Sequence, residues 1–206
     1  GFDLVHSNTP IGGVHGRLAA RKLGVPAVIY QAHGFHFYRG GPKSSWLLYY
    51  PVEKALARLT DILILINRED YAFAKAHLRP RRADGLRYVP GIGINWQAYA
   101  LVSVDRQALR AALGIPGEAL LALSVGELNA NKNHQAILRA LPDVPGLHYA
   151  IAGEGELREE LAGLARSLGV AERVHLLGYR TDIPGVYKSA DIFCLPSFRE
   201  GLSASV

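Results

Sequence analysis

Thr60-Asp61-Ile62-Leu63-Ile64-Leu65-Ile66-Asn67-Arg68-Glu69-Asp70 is the stretch that decides the fold. From Ile62 to Ile66 the chain is apolar without a polar interruption. A strand with one wet face alternates, whereas an unbroken run of branched residues reads as a strand covered on both faces, as in a parallel sheet. Asn67 then caps a helix. Glu69 and Asp70 fall in its first turn, where carboxylates suit the positive end of the helix dipole. A buried strand that runs straight into a capped helix is part of an α/β unit.

The same rhythm extends in both directions. Strands are expected at Leu4-Val5, Val28 to Tyr30, Tyr88-Val89, Leu120 to Val125, Tyr149 to Ile151, Val174 to Leu177 and Ile192 to Leu195. Thr9-Pro10 reads as an N-cap followed by proline at the first helical position, with Ile11, Val14 and Leu18 on one face. Ser45 opens a helix with Leu48, Val52, Ala55, Leu56 and Leu59 expected inward. Further helices are expected near Asp105–Leu113 and over Glu156–Leu168, the latter closed by Gly169. Alternation at this spacing gives α/β units with right-handed crossovers. Val89-Pro90-Gly91-Ile92-Gly93-Ile94-Asn95 breaks the rhythm and reads as a hinge, dividing the chain into residues 1–95 and 96–206.

The 206 residues are 49% hydrophobic and 20% charged, an ordinary globular profile. Two complete doubly wound domains of about 150 residues each would need more chain, so the sequence holds two partial domains or one large one. The single cysteine, Cys194, lies in an apolar run and reads as a buried structural thiol. No disulfide within the chain is possible, which suits the cytoplasm. The apolar runs are too short to span a membrane, and no signal peptide is visible. The chain opens on Gly1, directly before a strand, and contains no methionine. It is expected to be a piece of a longer protein.

Charge is uneven. Residues 1–98 carry 13 Lys+Arg against 6 Asp+Glu, and residues 99–206 carry 10 against 12. A basic half suits an anionic partner or is simply a solvated surface. Nucleic acid fits poorly, because the basic residues are scattered without interleaved aromatics. An anionic membrane is the expected peripheral contact, at Arg39 and Lys43 with Trp46, Tyr49 and Tyr50 nearby. The competing account packs those aromatics in the core.

Chemistry is expected at strand ends, where open α/β sheets bind ligands. His33-Gly34 follows one strand and either faces a crevice or caps a turn. His33 and His36 are too few for zinc. Gly126-Glu127-Leu128-Asn129-Ala130-Asn131-Lys132-Asn133-His134 follows another, and its lysine can meet a diphosphate, although the P-loop pattern is absent. Gly153-Glu154-Gly155 lacks the third glycine of a nicotinamide fingerprint. Gly178-Tyr179-Arg180 ends the next strand. The last strand runs into Pro196-Ser197-Phe198-Arg199-Glu200-Gly201-Leu202.

In order and position these loops resemble those of family 4 retaining glycosyltransferases. The resemblance implies an α/β fold made of two Rossmann-like domains of the GT-B type, both incomplete here. Residues 1–95 would be the C-terminal part of the acceptor-binding domain. Residues 96–206 would be the first part of the nucleotide-sugar-binding domain. Glu200 fits the first glutamate of the family's E-x7-E pair, whose second would fall two positions past Val206. The wider run from His33 to Ala72 resembles a subgroup that builds surface polysaccharides.

The resemblance makes His33 and Glu200 the catalytic residues. It assigns the donor to Gly126, Lys132, Gly153, Glu154, Tyr179, Arg180, Gly201 and Leu202, and the acceptor cleft to Gly12 and Gly13. It implies no metal and no cofactor. The expected donor is a nucleotide diphosphate sugar, UDP-linked, and the acceptor is lipid-linked or a glycan. The family has arginine in place of Glu127, so Lys132 is left as the phosphate contact. A GT-B UDP-sugar epimerase and a non-catalytic sugar-nucleotide-binding module remain as alternatives. The expected location is the cytoplasm, at the inner face of the cell membrane, and the piece alone is expected to be inactive.

Overall fold

A computed structural model describes residues 1–91, 93, 95–201 and 205. Two compact units are present. Among the described residues, one holds 1–91 and 93 together with Glu200 and Gly201, and the other holds 95–199 with Ser205.

The first unit is a four-stranded parallel sheet of order β1-β2-β3-β4, with β1 at Leu4–Ser7, β2 at Ala27–Ala32, β3 at Ile62–Leu65 and β4 at Leu86–Tyr88. Helices α1 (Pro10–Lys22), α2 (Lys43–Ala57) and α3 (Arg68–His77) make the crossovers. Right-handed crossovers between adjacent strands place all three helices on one face. That face holds the core: Tyr30, Ala32, Leu63 and Leu65 pack with Ala57 of α2 and Ala74 of α3. On the opposite face Ile29, Gln31, Ile62 and Ile64 are half-buried. β3 is therefore fully covered on its helix side only, which corrects the expectation of two covered faces.

Caps follow the sequence. Thr9 accepts from the Gly12 N–H, and Asn67 accepts from the Asp70 N–H. The inward faces of α1 and α2 do not. Ile11, Leu18, Leu48, Val52 and Ala55 point outward, and Leu56 alone of the expected α2 set is buried. The buried face of α1 is Gly13, Arg17 and Ala20, and that of α2 is Glu53, Leu56 and Ala57. Two charges can turn inward because they meet: Arg17 donates to both Glu53 oxygens at 2.9 and 2.8 Å. The Arg17 guanidinium also lies 3.9 Å from the Tyr30 ring centre. Gly13 makes room for that ring, since a Cβ there would fall 2.4 Å from Tyr30 Cε2.

The second unit is a parallel sheet of order β7-β6-β5-β8, with β5 at Leu120–Val125, β6 at Leu147–Ala152, β7 at Val174–Gly178 and β8 at Ile192–Phe193. Its helices are α4 (Trp96–Leu101), α5 (Arg106–Ala112), α6 (His134–Ala140), α7 (Arg158–Ser167) and α8 (Ile183–Ser189). One core joins β5 and β6 to α6 and α7 through Ala122, Tyr149, Leu138 and Leu161. Another lies on the other face, where Leu121, Leu123 and Ala150 meet Val186 of α8. β5 is buried on both faces, and the strand order reverses between β5 and β8. Such a reversal opens a crevice at the carboxyl ends of the strands.

Both units use one device at the opposite strand ends. Asp61, just before β3, donates its N–H to the Val28 carbonyl and accepts from the Val28 N–H. Asp191, just before β8, does the same with Leu121. Each carboxylate also meets two arginines, Arg21 and Arg81 in one case, Arg106 and Arg110 in the other. Burial opposes the Asp191 charge, but the Leu121 N–H and the arginines outweigh it and hold the carboxyl below its ordinary value. Cys194 is half-buried, and burial pushes its thiol up, as suits a structural cysteine.

Candidate functional site

In the second unit the loops after β5, β6 and β7 are joined through their backbones. The Gly126 N–H donates to the Ala152 carbonyl at 3.0 Å, the Leu128 N–H to Glu154 at 2.9 Å, and the Gly153 N–H to Gly178 at 2.8 Å. Only glycine fits this approach. A Cβ on Gly153 would lie 1.9 Å from the Gly126 oxygen, and one on Gly155 would lie 2.5 Å from the Leu128 oxygen. The joined loops wall a cavity of ≈ 340 Å³. Of the predicted donor residues, Gly126, Gly153, Glu154, Tyr179 and Arg180 line it, beside Glu127 and Ile183. Tyr179 is 75% exposed, and Arg180 is held by Asp182 at 2.8 Å.

Lys132, the remaining predicted phosphate contact, is not among the lining residues but adjoins one of them. Its stem lies across Gly126, with Nζ 3.5 Å from where a Cβ on that glycine would stand. The loop carrying it is tied to the segment after β8. Asn131 donates to the Arg199 carbonyl at 2.8 Å, Asn133 to the Pro196 carbonyl at 3.1 Å, and Phe198 N–H to the Asn131 carbonyl at 2.9 Å. Asn133 takes a left-handed backbone, φ 51°, to make this possible. The two asparagines flanking Lys132 thus fix this loop to residues 196–199. The sequence reading assigned Gly126 and Lys132 in this loop but neither asparagine. Glu127 is exposed, and its carboxylate accepts from Asn129 at 3.0 Å.

In the first unit His33 is exposed at the end of β2. The loop after it is anchored where the Phe35 N–H donates to Asp70 at 2.9 Å and where the Phe35 and Phe37 rings stack at 4.9 Å. Gly201 lies against this loop, since a Cβ on it would fall 2.2 Å from the His33 carbonyl oxygen. The structure therefore brings the segment of Glu200, which is half-buried, beside His33. Leu202 lies outside the described residues. A cavity of ≈ 230 Å³ opens among Pro10, Ile11, Val14, Gly34, His36 and Tyr49. Gly12 and Gly13 do not line it. The first serves the Thr9 cap and the second the packing of Tyr30.

Trp46 and Tyr50 pack inward. The Trp46 ring lies 5.2 Å from Phe37 and 5.5 Å from Phe73, and its Nε1 donates to the Tyr38 carbonyl at 3.0 Å. The outward face of α2 carries Leu47, Leu48 and Tyr49 instead. Among the described residues no helix is long and apolar enough to cross a membrane, and no three His, Cys, Asp or Glu side chains converge as metal ligands do.

The family model "Glycosyl transferases group 1" matches residues 105–206, and "Glycosyl transferase 4-like" matches residues 1–67. Each half of the chain matches a glycosyltransferase family model, and the chain belongs to the glycosyltransferases. This bears out the resemblance to family 4, and the two Rossmann-like halves are those of a GT-B fold. EpsD of Bacillus subtilis (strain 168) is 40% identical over all of this chain and 55% of its own length. The UDP-Gal:alpha-D-GlcNAc-diphosphoundecaprenol alpha-1,3-galactosyltransferase of Escherichia coli is 29% identical over all of this chain and 54% of its own length. Anabaena HepE, solved with UDP and glucose, superposes with a TM-score of 0.78 at 22% identity, over 95% of this chain and 53% of its own. The chain spans about half the length of the curated relatives it matches.

Proposed function

We propose that residues 1–95 and 96–206 supply parts of the acceptor and donor domains of a retaining glycosyltransferase. It moves a sugar from a nucleotide diphosphate sugar, UDP-linked, to a lipid-linked or polysaccharide acceptor. The observation that carries this reading is Lys132 laid across Gly126, which itself lines the cavity with Gly153, Glu154, Tyr179 and Arg180. The cavity takes the nucleoside and Lys132 the diphosphate. A cation in that place stabilises charge growing on the leaving diphosphate, without metal or cofactor. Glu200 holds sugar hydroxyls, and His33 meets the sugar from the acceptor side. The names of the relatives support the donor and acceptor classes: HepE was solved with UDP-glucose, and the Escherichia coli relative is named for a lipid-linked acceptor.

Lys132→Ala should weaken UDP binding by about 1.5–3 kcal/mol, the worth of a hydrogen bond to a charged group. Calorimetry with UDP measures this, and unchanged affinity would remove Lys132 from the diphosphate site. Product analysis with UDP-sugar alone separates a transferase from an epimerase, which needs no acceptor.

A lipid-linked acceptor places the enzyme at a membrane. The surface that supports this is the outward side of α2, where Leu47 is 81% and Leu48 62% exposed, with Arg39 and Lys43 exposed nearby. Each basic residue near an anionic surface contributes about 1 kcal/mol, screened by salt. The protein should co-sediment with anionic vesicles more than with neutral ones and detach at high salt. Replacing Arg39 and Lys43 with alanine should reduce this binding and leave UDP affinity intact. Binding to neither kind of vesicle would point to a soluble acceptor.

A further inference from the structure

Beneath the Lys132 loop runs a chain of buried polar groups that the proposed chemistry does not use. His134, at the start of α6, is 3% exposed. Its Nε2 lies 3.2 Å from the Glu127 carbonyl oxygen and its Nδ1 3.1 Å from the Tyr149 hydroxyl. Tyr149 lies 2.8 Å from Ser124 Oγ, which lies 2.7 Å from the Cys194 carbonyl oxygen. The chain therefore begins in the loop after β5 and ends just past β8, on the segment that leads to Glu200.

Counting hydrogens decides its state. Four contacts need four hydrogens, and both end groups are carbonyl oxygens that donate none. Ser124 and Tyr149 supply one each. A neutral imidazole supplies one and an imidazolium two. With His134 neutral the chain is one hydrogen short. Either its Nε2 lone pair faces the Glu127 carbonyl, or one of the three contacts from Nδ1 to the Cys194 carbonyl has no hydrogen in it. Only the doubly protonated ring completes the chain. Burial pushes this ring down from its ordinary value. The Glu127 carbonyl pulls it up, and the Lys132 ammonium pushes it down again. The other titratable groups around it are the Tyr149 hydroxyl on β6, the Cys194 thiol after β8 and Glu160 on α7, which lines a small cavity with His134. The Glu127 carboxylate is turned to Asn129.

We propose that His134 is a positioning residue that takes up a proton from solvent when a diphosphate binds, completing the chain and fixing the Glu127–Lys132 loop to the end of β8. Burial is the main force against the charged ring and the Lys132 ammonium adds to it; an anion at Lys132 cancels that added repulsion, so the proton and the donor arrive together. This rests on reading the loop as the diphosphate seat.

The probe is UDP-glucose, whose diphosphate has no group titrating near neutrality. Calorimetry in two buffers of different ionisation heat should show proton uptake on binding. Affinity should fall as pH rises between the ring's unbound and bound values, by at most about tenfold per pH unit for one proton. His134→Gln, which cannot take the proton, should bind without uptake and without that slope. Binding with no uptake, or uptake that survives in His134→Gln, would overturn the proposal while leaving the donor site standing. Nitrogen NMR of the ring in ligand-free protein reads the chain separately. On acidification the ring should gain its second N–H, and protection of the Leu128 and Lys132 amides from exchange should rise. A ring that protonates while that protection falls would overturn the proposal even if the variant does not fold. If UDP-glucose does not bind, the donor reading fails and the ligand-free titration decides the chain alone.

Discussion

Arg17→Ala should destabilise the first unit by about 3–5 kcal/mol, the usual cost of removing one partner of a buried ion pair. Arg17 is fully buried and Glu53 is 8% exposed. The guanidinium spends its donors on both Glu53 oxygens and, through Nε at 2.8 Å, on the Gly13 carbonyl. Truncation leaves a carboxylate and a carbonyl unpaired in a dry site. It also uncovers the Tyr30 ring, whose hydroxyl is held protonated well above its ordinary range, by burial first and by Glu53 second. Denaturant unfolding followed by Trp46 emission reports on this unit, because that ring packs against Phe37 and Phe73. The double change Arg17→Met with Glu53→Leu should recover most of the loss, since apolar residues of similar volume replace a buried pair at little cost. A loss under about 1 kcal/mol for Arg17→Ala would mean that the pair behaves as a surface one.

That pair also marks where the sequence stops being legible. Every expected strand is present, because apolar runs bounded by glycine, proline and caps need only local information. Thr9 and Asn67 cap as expected for the same reason. The inward faces of α1 and α2 were hidden. Helical periodicity counts apolar residues and would put Ile11 and Leu48 inside before Arg17 and Glu53. What reverses the order is a partner 36 positions away, which periodicity cannot see. The twin aspartates before β3 and β8 were legible in principle, since Asp61-Ile62 and Asp191-Ile192 both open strands, but one sequence gives no reason to pair them. At the candidate site, Gly126, Gly153, Glu154, Tyr179 and Arg180 follow strand ends, and the family resemblance singled them out there. Ser124, Tyr149 and His134 were not. They sit on three different elements, and a serine, a tyrosine and a histidine at that spacing carry no signal until the sheet brings them together.

Gly153→Ala is the second change with a large expected effect, about 3 kcal/mol or more in stability, together with loss of UDP binding. An added methyl would stand 1.9 Å from the Gly126 oxygen and 2.8 Å from its carbon, both backbone atoms. No rotamer relieves that clash, so the ends of β5 and β6 must part. Parting breaks the bonds from Gly126 to Ala152 and from Leu128 to Glu154, which hold the cavity wall together. Overpacking of a tight site ordinarily costs about 1–3 kcal/mol, and lost backbone bonds add to it. Gly169→Ala is the matched control. Gly169 has φ +68°, but nothing lies within 4 Å of where its Cβ would stand. Its cost should be the left-handed backbone alone, about 1–2 kcal/mol, with UDP affinity unchanged. Thermal unfolding and UDP calorimetry on both variants test the comparison. If the two lose equal stability and both still bind UDP, the close approach of the strand-end loops does not shape the site, and the cavity beside Gly126 is not where the nucleotide sits.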